Sequence, residues 1–222
     1  MPEPAPARRP FIFVLAGVNG AGKSSVGGAM LAEHGLTWFN PDSFARELAQ
    51  SLGLDANDAN GRAWQHGRSQ LDAAIAKVTN HAFETTLGAK TIPALLAQAA
   101  TTHDVLMVFC GLQSPELHIQ RVRSRVASGG HFIAESKIRE RWVTSRINLV
   151  RLMPHLARLQ VFDNSAEAAA EMDIPQPLLV LEMIGGRLTF PAPDDLQALD
   201  TTPEWARSIV QAAIEQQTDP AA

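Results

Sequence analysis

Between Phe11 and Met30 the chain reads FIFVLAGVNGAGKSSVGGAM, and Gly17, Gly20, Gly22, Lys23 and Ser24 satisfy the spacing GxxxxGK followed by Ser or Thr. An apolar run before the glycines and a helical pattern after them would let the backbone N–H groups of Asn19, Gly20, Ala21, Gly22, Lys23, Ser24 and Ser25 converge on a phosphate at a positive helix end. A side chain at Gly17, Gly20 or Gly22 would block that approach or the positive φ angles of the turn. Lys23 would neutralise the outer phosphates of a bound ATP or GTP, and the Ser24 hydroxyl would ligate Mg²⁺.

The next polar residues that could do chemistry follow the runs LTWF and HAF: Asn40, Asp42, Glu84 and Thr85. In open α/β sheets ligands lie beyond the carboxyl ends of the strands, so these four should face the glycine loop. A carboxylate there either accepts the proton of an attacking hydroxyl or positions Mg²⁺. Asp42 also suits the N-cap of the helix that follows, and Glu84 in a short apolar strand needs a specific partner. His131 is a candidate for contact with phosphate or substrate. Seven arginines lie between Arg121 and Arg151, most of them expected on solvated helix faces. No histidines form an HExxH pair, so a zinc site is not expected.

These residues need a scaffold. The runs FIFVLAG, LTWFN, HAFETT, DVLMVFCGL and RLQVFDNS read as strands alternating with amphipathic stretches, which predicts α/β architecture: a parallel sheet flanked by helices. Helices are expected over 23–34, 42–52, 60–80, 92–100 and 135–152, with another opened by Ser114-Pro115-Glu116. PLLVLEMIGGRLTF reads as a C-terminal β-hairpin turning at Gly185-Gly186, and TPEWARSIVQAAIEQQ as a closing helix. A single domain over 11–222 is expected after a flexible 1–10, with a mobile cover near 125–141.

Composition narrows the partners. Lys and Arg number 19 against 23 Asp and Glu, a formal charge of −4, which offers no broad basic field for a long nucleic acid or an anionic membrane. Cys110 is the single cysteine, inside an apolar run, so a disulfide framework is impossible and a reducing compartment fits. MPEPAPARRP lacks the apolar core of a signal peptide, and the expected location is cytoplasmic.

GVNGAGKSS, FNPDSFAR, FETTLGAK, SPELHIQRVRSRVASGGH, IRERWVTSRINL and VFDNS together resemble the zeta-toxin family of P-loop kinases, over roughly Phe11 to Ser165 and in the compact form of its small chromosomal members. The resemblance implies a P-loop kinase fold and phosphoryl transfer from ATP or GTP to a hydroxyl of a UDP-activated amino sugar, chiefly UDP-N-acetylglucosamine. It implies that Lys23 binds phosphate, that Asp42 lies beside the sugar hydroxyl, and that Glu84 and Thr85 bind substrate. It further implies arginines over the phosphates, for which Arg125, Arg139 and Arg141 are the candidates, Arg125 and Arg139 first. DVLMVFCGLQ does not end in the Asp of a metal-holding strand, leaving Ser24, substrate oxygens and Asp42 for the metal. Two other readings stay open: a P-loop kinase acting on a nucleic-acid end or another metabolite, and a non-catalytic nucleotide-binding module held by an antitoxin-like protein.

Overall fold

Along Phe11–Ala16 (β1) successive side chains face opposite sides of a sheet, and both sides are apolar. Ile12, Val14 and Ala16 enter the larger core, while Phe13 and Leu15 pack on the other face. A strand buried on both faces belongs inside a sheet covered by helices. The computed structural model describes residues 9–33, 36–166 and 175–218. In it β1 lies between His81–Thr85 (β2) and Asp104–Gly111 (β3). Arg158–Asp163 (β4), Leu178–Ile184 (β5) and Arg187–Phe190 (β6) complete the six-stranded order β2-β1-β3-β4-β5-β6. The first four strands are parallel, and β5 and β6 add antiparallel. Left-handed Gly185 (φ 57°) and Gly186 (φ 76°) make the expected hairpin turn.

Helices cover both faces. Lys23–Glu33 (α1) packs over β1 and β3, where Leu15, Leu31, Val108 and Cys110 form the smaller core. The larger core joins the other face to Ala56–Lys77 (α3), Thr91–Ala99 (α4), Glu135–Leu152 (α6) and Glu204–Thr218 (α8). Pro41–Leu52 (α2) packs on α3, and Pro115–Ala127 (α5) packs on α6. A short helix, Leu196–Asp200 (α7), precedes α8. Ser114 caps α5 by accepting from the Leu117 amide, with Pro115 in the first turn, as its sequence signals.

Two elements differ from expectation. LTWFN is not a strand: Phe39 makes a single parallel bridge to Phe83, its N–H donating to Ala82 O and its O accepting from the Glu84 amide, both at 2.9 Å. The next residue, Asn40, already caps α2 by accepting from the Ser43 amide at 3.1 Å, and Pro41 opens the helix. Strand propensity over 36–40 therefore yields to a helix start. The second is α3, which begins at Ala56 rather than residue 60 because Asp55 caps the Asn57 and Asp58 amides. It ends before residue 80, where Val78 turns left-handed at φ 54°. Of the N-terminal ten residues, 1–8 lie outside the described residues, whereas Arg9 donates to the Ala100 and His103 carbonyls. Residue 34, the expected end of α1, also lies outside them. Among the described residues no helix is long and apolar enough to cross a membrane.

Gly111 closes β3 beneath Trp205 of α8, and a Cβ there would sit 2.1 Å from Trp205 Cη2. Trp205 is buried in the main core and cannot swing aside freely. Gly111→Ala is expected to destabilise the protein by about 1–3 kcal/mol through overpacking, read as a lower midpoint in urea with an unchanged m-value.

Candidate active site

The loop between β1 and α1 has the backbone that its glycines permit. Gly17 (φ 137°) lies so close to β3 that a Cβ would be 2.2 Å from Cys110 O, and at Gly22 (φ 80°) one would be 2.3 Å from Asn164 Nδ2. That Asn164 amide donates to Ala21 O at 3.0 Å, tying the loop to the end of β4. Gly17 N–H donates to Thr85 O, and Ser25 N–H to Gly22 O. The helix then opens at Lys23, its positive end toward the loop, with Ser24 and Ser25 exposed in the first turn.

Lys23 is not a charge in open solvent. Its side chain is 7% exposed, and Nζ lies 3.3 Å from Glu84 Oε1. Glu84 Oε2 accepts from Ser24 Oγ at 2.9 Å and from Asn40 Nδ2 at 2.8 Å. Three polar partners around one buried carboxylate supply what its desolvation demands. The placement follows from the strands: Leu15 pairs with Glu84 in register, and the Phe39 bridge brings Asn40 alongside. Thr85 is turned to its own loop, where its Oγ1 accepts from the Leu87 amide.

Asp42 lies in the first turn of α2, and Asn40 does the capping, so the carboxylate is not engaged as an N-cap. It faces His131 Nε2 at 3.9 Å and Arg125 Nη1 at 3.8 Å, both beyond hydrogen-bond length. Burial lowers the pKa of His131, against the pull of Asp42, so the imidazole is uncharged at neutral pH. Arg125 Nε and Nη2 are buried without a hydrogen-bond partner among the described residues, leaving donors for an anion. Arg141 donates from Nη1 to Asn19 Oδ1 at 2.7 Å. Arg139 is elsewhere: it pairs with Glu116 at 2.6 Å on the exposed face of α5 and α6. Arg141 therefore lines the cleft, and Arg125 stands beside Asp42 on its wall.

Lys23, Asn40, Asp42, Glu84, His131 and Arg141 border a cavity of about 510 Å³. Its lining runs from Lys23, Glu84 and Asp42 to Trp64 and Arg68 of α3 and includes Phe132 of the α5–α6 connection. Phe132 is 75% exposed. The hydroxyl of Ser24 and the carboxylate of Glu84 form a set of hard oxygen donors that fits Mg²⁺. No group of three or more His, Cys, Asp or Glu among the described residues could hold a metal by itself, which suits an ion that arrives with phosphate oxygens. Cys110 plays no part, since burial pushes its thiol up to about 12.

Some of the site escapes sequence reasoning. His118 is 1% exposed, and its Nδ1–H donates to Asn19 O at 2.9 Å; between Leu117 and Ile119 nothing in its spacing marks it. Trp64 and Arg68 carry no signal until α3 is known to wall the cleft. Asn164 does have one, because it follows β4 directly, where sheet ligands gather.

No protein-family model matches the chain, and no curated protein matches it in sequence. Solved structures match in fold. A chain of the AvrRxo1-ORF1:-ORF2 crystal structure with ATP superposes with a TM-score of 0.64 at 16% identity, covering 90% of this chain and 65% of that one. This chain thus spans just under two thirds of that relative's length. A chain of the PezAT chromosomal toxin–antitoxin system of Streptococcus pneumoniae gives 0.52 at 17% identity, covering 72% and 69%. One from the Pnkp1/Rnl/Hen1 RNA repair complex gives 0.51 at 19%, covering 67% and 48%. The likeness is one of fold: a mainly parallel α/β sheet with helices on both faces and a glycine loop after its first strand.

His118 gives the loop a measurable pH signature. Burial lowers its pKa to about 4, against the bond to Asn19 O, which raises it, and with the nearby Lys23 and Arg121 charges adding to the lowering. As pH falls from ~6.5 toward ~4 the unfolded chain takes up a proton that the folded His118 refuses, so stability falls with pH, by on the order of 3 kcal/mol at the acid end. The melting temperature should drop between about pH 7 and about pH 4.5, and drop less in His118→Asn. Equal drops in the two proteins would show that His118 is not the group responsible.

Proposed function

We propose that the protein is an ATP- or GTP-dependent phosphotransferase that moves the γ-phosphoryl group to an alcohol group of a small substrate in the cytoplasm. The observation that carries this is the Lys23–Glu84–Ser24 contact at the end of a glycine loop, with the uncapped Asp42 carboxylate on the wall of the same 510 Å³ cavity. The loop amides and Lys23 hold the phosphates, and Arg125 and Arg141 meet the charge that develops on the transferred group. Asp42 takes the proton from the acceptor hydroxyl as its oxygen bonds to the γ-phosphorus, while the bond to the leaving nucleoside diphosphate breaks. His131, uncharged beside Asp42, borders the acceptor. Ser24 and Glu84 would hold Mg²⁺, which supplies charge neutralisation at the phosphates.

The acceptor in this reading is a UDP-activated amino sugar such as UDP-N-acetylglucosamine, which rests on the resemblance of FNPDSFAR, FETTLGAK and the glycine-histidine segment before α6. A cavity with Trp64, Phe132, Arg68 and Arg141 in its lining suits a substrate that combines a planar ring with anionic groups. The ATP in the AvrRxo1 structure supports the nucleotide, and the toxin–antitoxin origin of the PezAT chain supports an antitoxin-like protein partner. The RNA repair likeness is one of fold and supplies no nucleic-acid surface to a chain of net charge −4.

Asp42→Asn separates a kinase from a nucleotide-binding module. Because Asn40 caps α2, the melting temperature should move by no more than about one degree, while transfer to UDP-N-acetylglucosamine falls by roughly 10² to 10⁴. ATP affinity measured by calorimetry should stay within about threefold. A wild-type rate in this variant would remove Asp42 as the base and the cavity wall as the acceptor site.

A further inference from the structure

Arg141 occupies a slot built on two sides. Its Nη1 donates to Asn19 Oδ1 at 2.7 Å, and Asn19 is only 3% exposed, its own carbonyl held by His118. On a second side is Gly88, where a Cβ would lie 2.7 Å from Arg141 Cγ and 3.3 Å from Arg141 Cβ. The chain at Gly88 is in turn clamped: buried Asn148 donates from Nδ2 to Leu87 O at 2.8 Å and to Ala89 O at 3.2 Å. Leu87 is held left-handed at φ 55°, a conformation that a non-glycine residue adopts only when its surroundings impose it. Thr85 Oγ1 accepts the Leu87 amide and completes the turn.

We infer that Asn19, Gly88 and Asn148 are positioning residues for Arg141, fixing its guanidinium over the phosphate loop before nucleotide and acceptor bind. The inference rests on the kinase reading above and deepens it. A free arginine samples many rotamers, and a guanidinium that must find the transferring phosphoryl group would lose that freedom during the reaction. One bond to Asn19 and a stem confined against Gly88 remove the search in advance, and the other N–H donors of the fork stay available to an anion. Asn19 belongs to the glycine loop, Gly88 follows β2 and Arg141 lies on α6, so the slot also ties the loop to the helix behind the cover. Gly88 must lack a side chain because the Arg141 stem occupies the space a Cβ would take.

Positioning through Arg141 has a signature that general structural damage lacks. Single-turnover transfer from ATP to UDP-N-acetylglucosamine, and ATP hydrolysis without acceptor, would be measured for Gly88→Ala, Asn19→Ser, Arg141→Ala and the two double variants, with melting curves to select folded proteins. Gly88→Ala should lower kcat by about 10²-fold with KM for ATP changed less than about threefold, since it displaces a transition-state contact. In the Arg141→Ala background, where the stem is gone, the same change should lower kcat by less than about twofold, and Asn19→Ser, the second variant should Gly88→Ala fail to fold, should behave alike. Equal losses in both backgrounds, or losses in KM alone, would overturn the positioning role while leaving the kinase reading intact. Full activity in Arg141→Ala, or a wild-type protein that neither transfers nor hydrolyses, would instead strike the parent reading and this inference with it.

Discussion

A lysine and a glutamate that are both nearly buried constrain everything around them. Lys23 and Glu84 face each other across the ends of β1 and β2, and charges withdrawn from water survive only with partners of good geometry. Parallel register at Leu15 and Glu84 sets the level of the carboxylate. The glycine turn delivers the ammonium to the same level, and Ser24 and Asn40 take the remaining lone pairs. The contributors come from three segments: Lys23 and Ser24 open α1, Asn40 caps α2 and Glu84 lies on β2. The sheet order, the left-handed glycines, the truncated strand at Phe39 and the cap of α2 are all conditions for one ion pair. The result is a lysine already desolvated and aimed, beside a carboxylate and a hydroxyl.

The same economy extends outward. Asn40 serves twice, its Oδ1 capping α2 and its Nδ2 bonding Glu84, which leaves Asp42 two residues later with no structural duty of that kind. The acid absent from the end of β3 is supplied instead by β2, the other neighbour of β1. That arrangement gives Glu84 a place at the glycine loop while it also lines the cavity. Its contacts with Lys23, Ser24 and Asn40 lie at the glycine-loop end of the cavity.

What the sequence disclosed is what local rules govern. The glycine spacing, the Ser114 cap and the Gly185-Gly186 hairpin each depend on a few adjacent residues, and each reads correctly. LTWFN fails because strand propensity is overridden by the Asn40-Pro41 helix start, a competition that propensity cannot decide. The arginines show a different limit. Arg139 and Arg141 are two residues apart on one helix, so they cannot share a face, and the pattern alone does not say which one turns inward. Glu116 on the neighbouring helix decides it by holding Arg139 outside. His118 and Asn148 act through carbonyls distant in sequence, and only the assembled fold reveals them.

The central claim is that this cleft delivers a phosphoryl group to an acceptor, and it is tested most directly by following the phosphorus. The protein would be incubated with ATP labelled with ¹⁸O on its γ-phosphate, Mg²⁺ and a small-metabolite extract, and the products read by mass spectrometry. The account predicts a hydroxyl-bearing metabolite that gains the labelled phosphoryl group as ADP forms, with no such gain for Lys23→Met. ATP that binds to the wild-type protein and yields no labelled acceptor above the Lys23→Met background would contradict it.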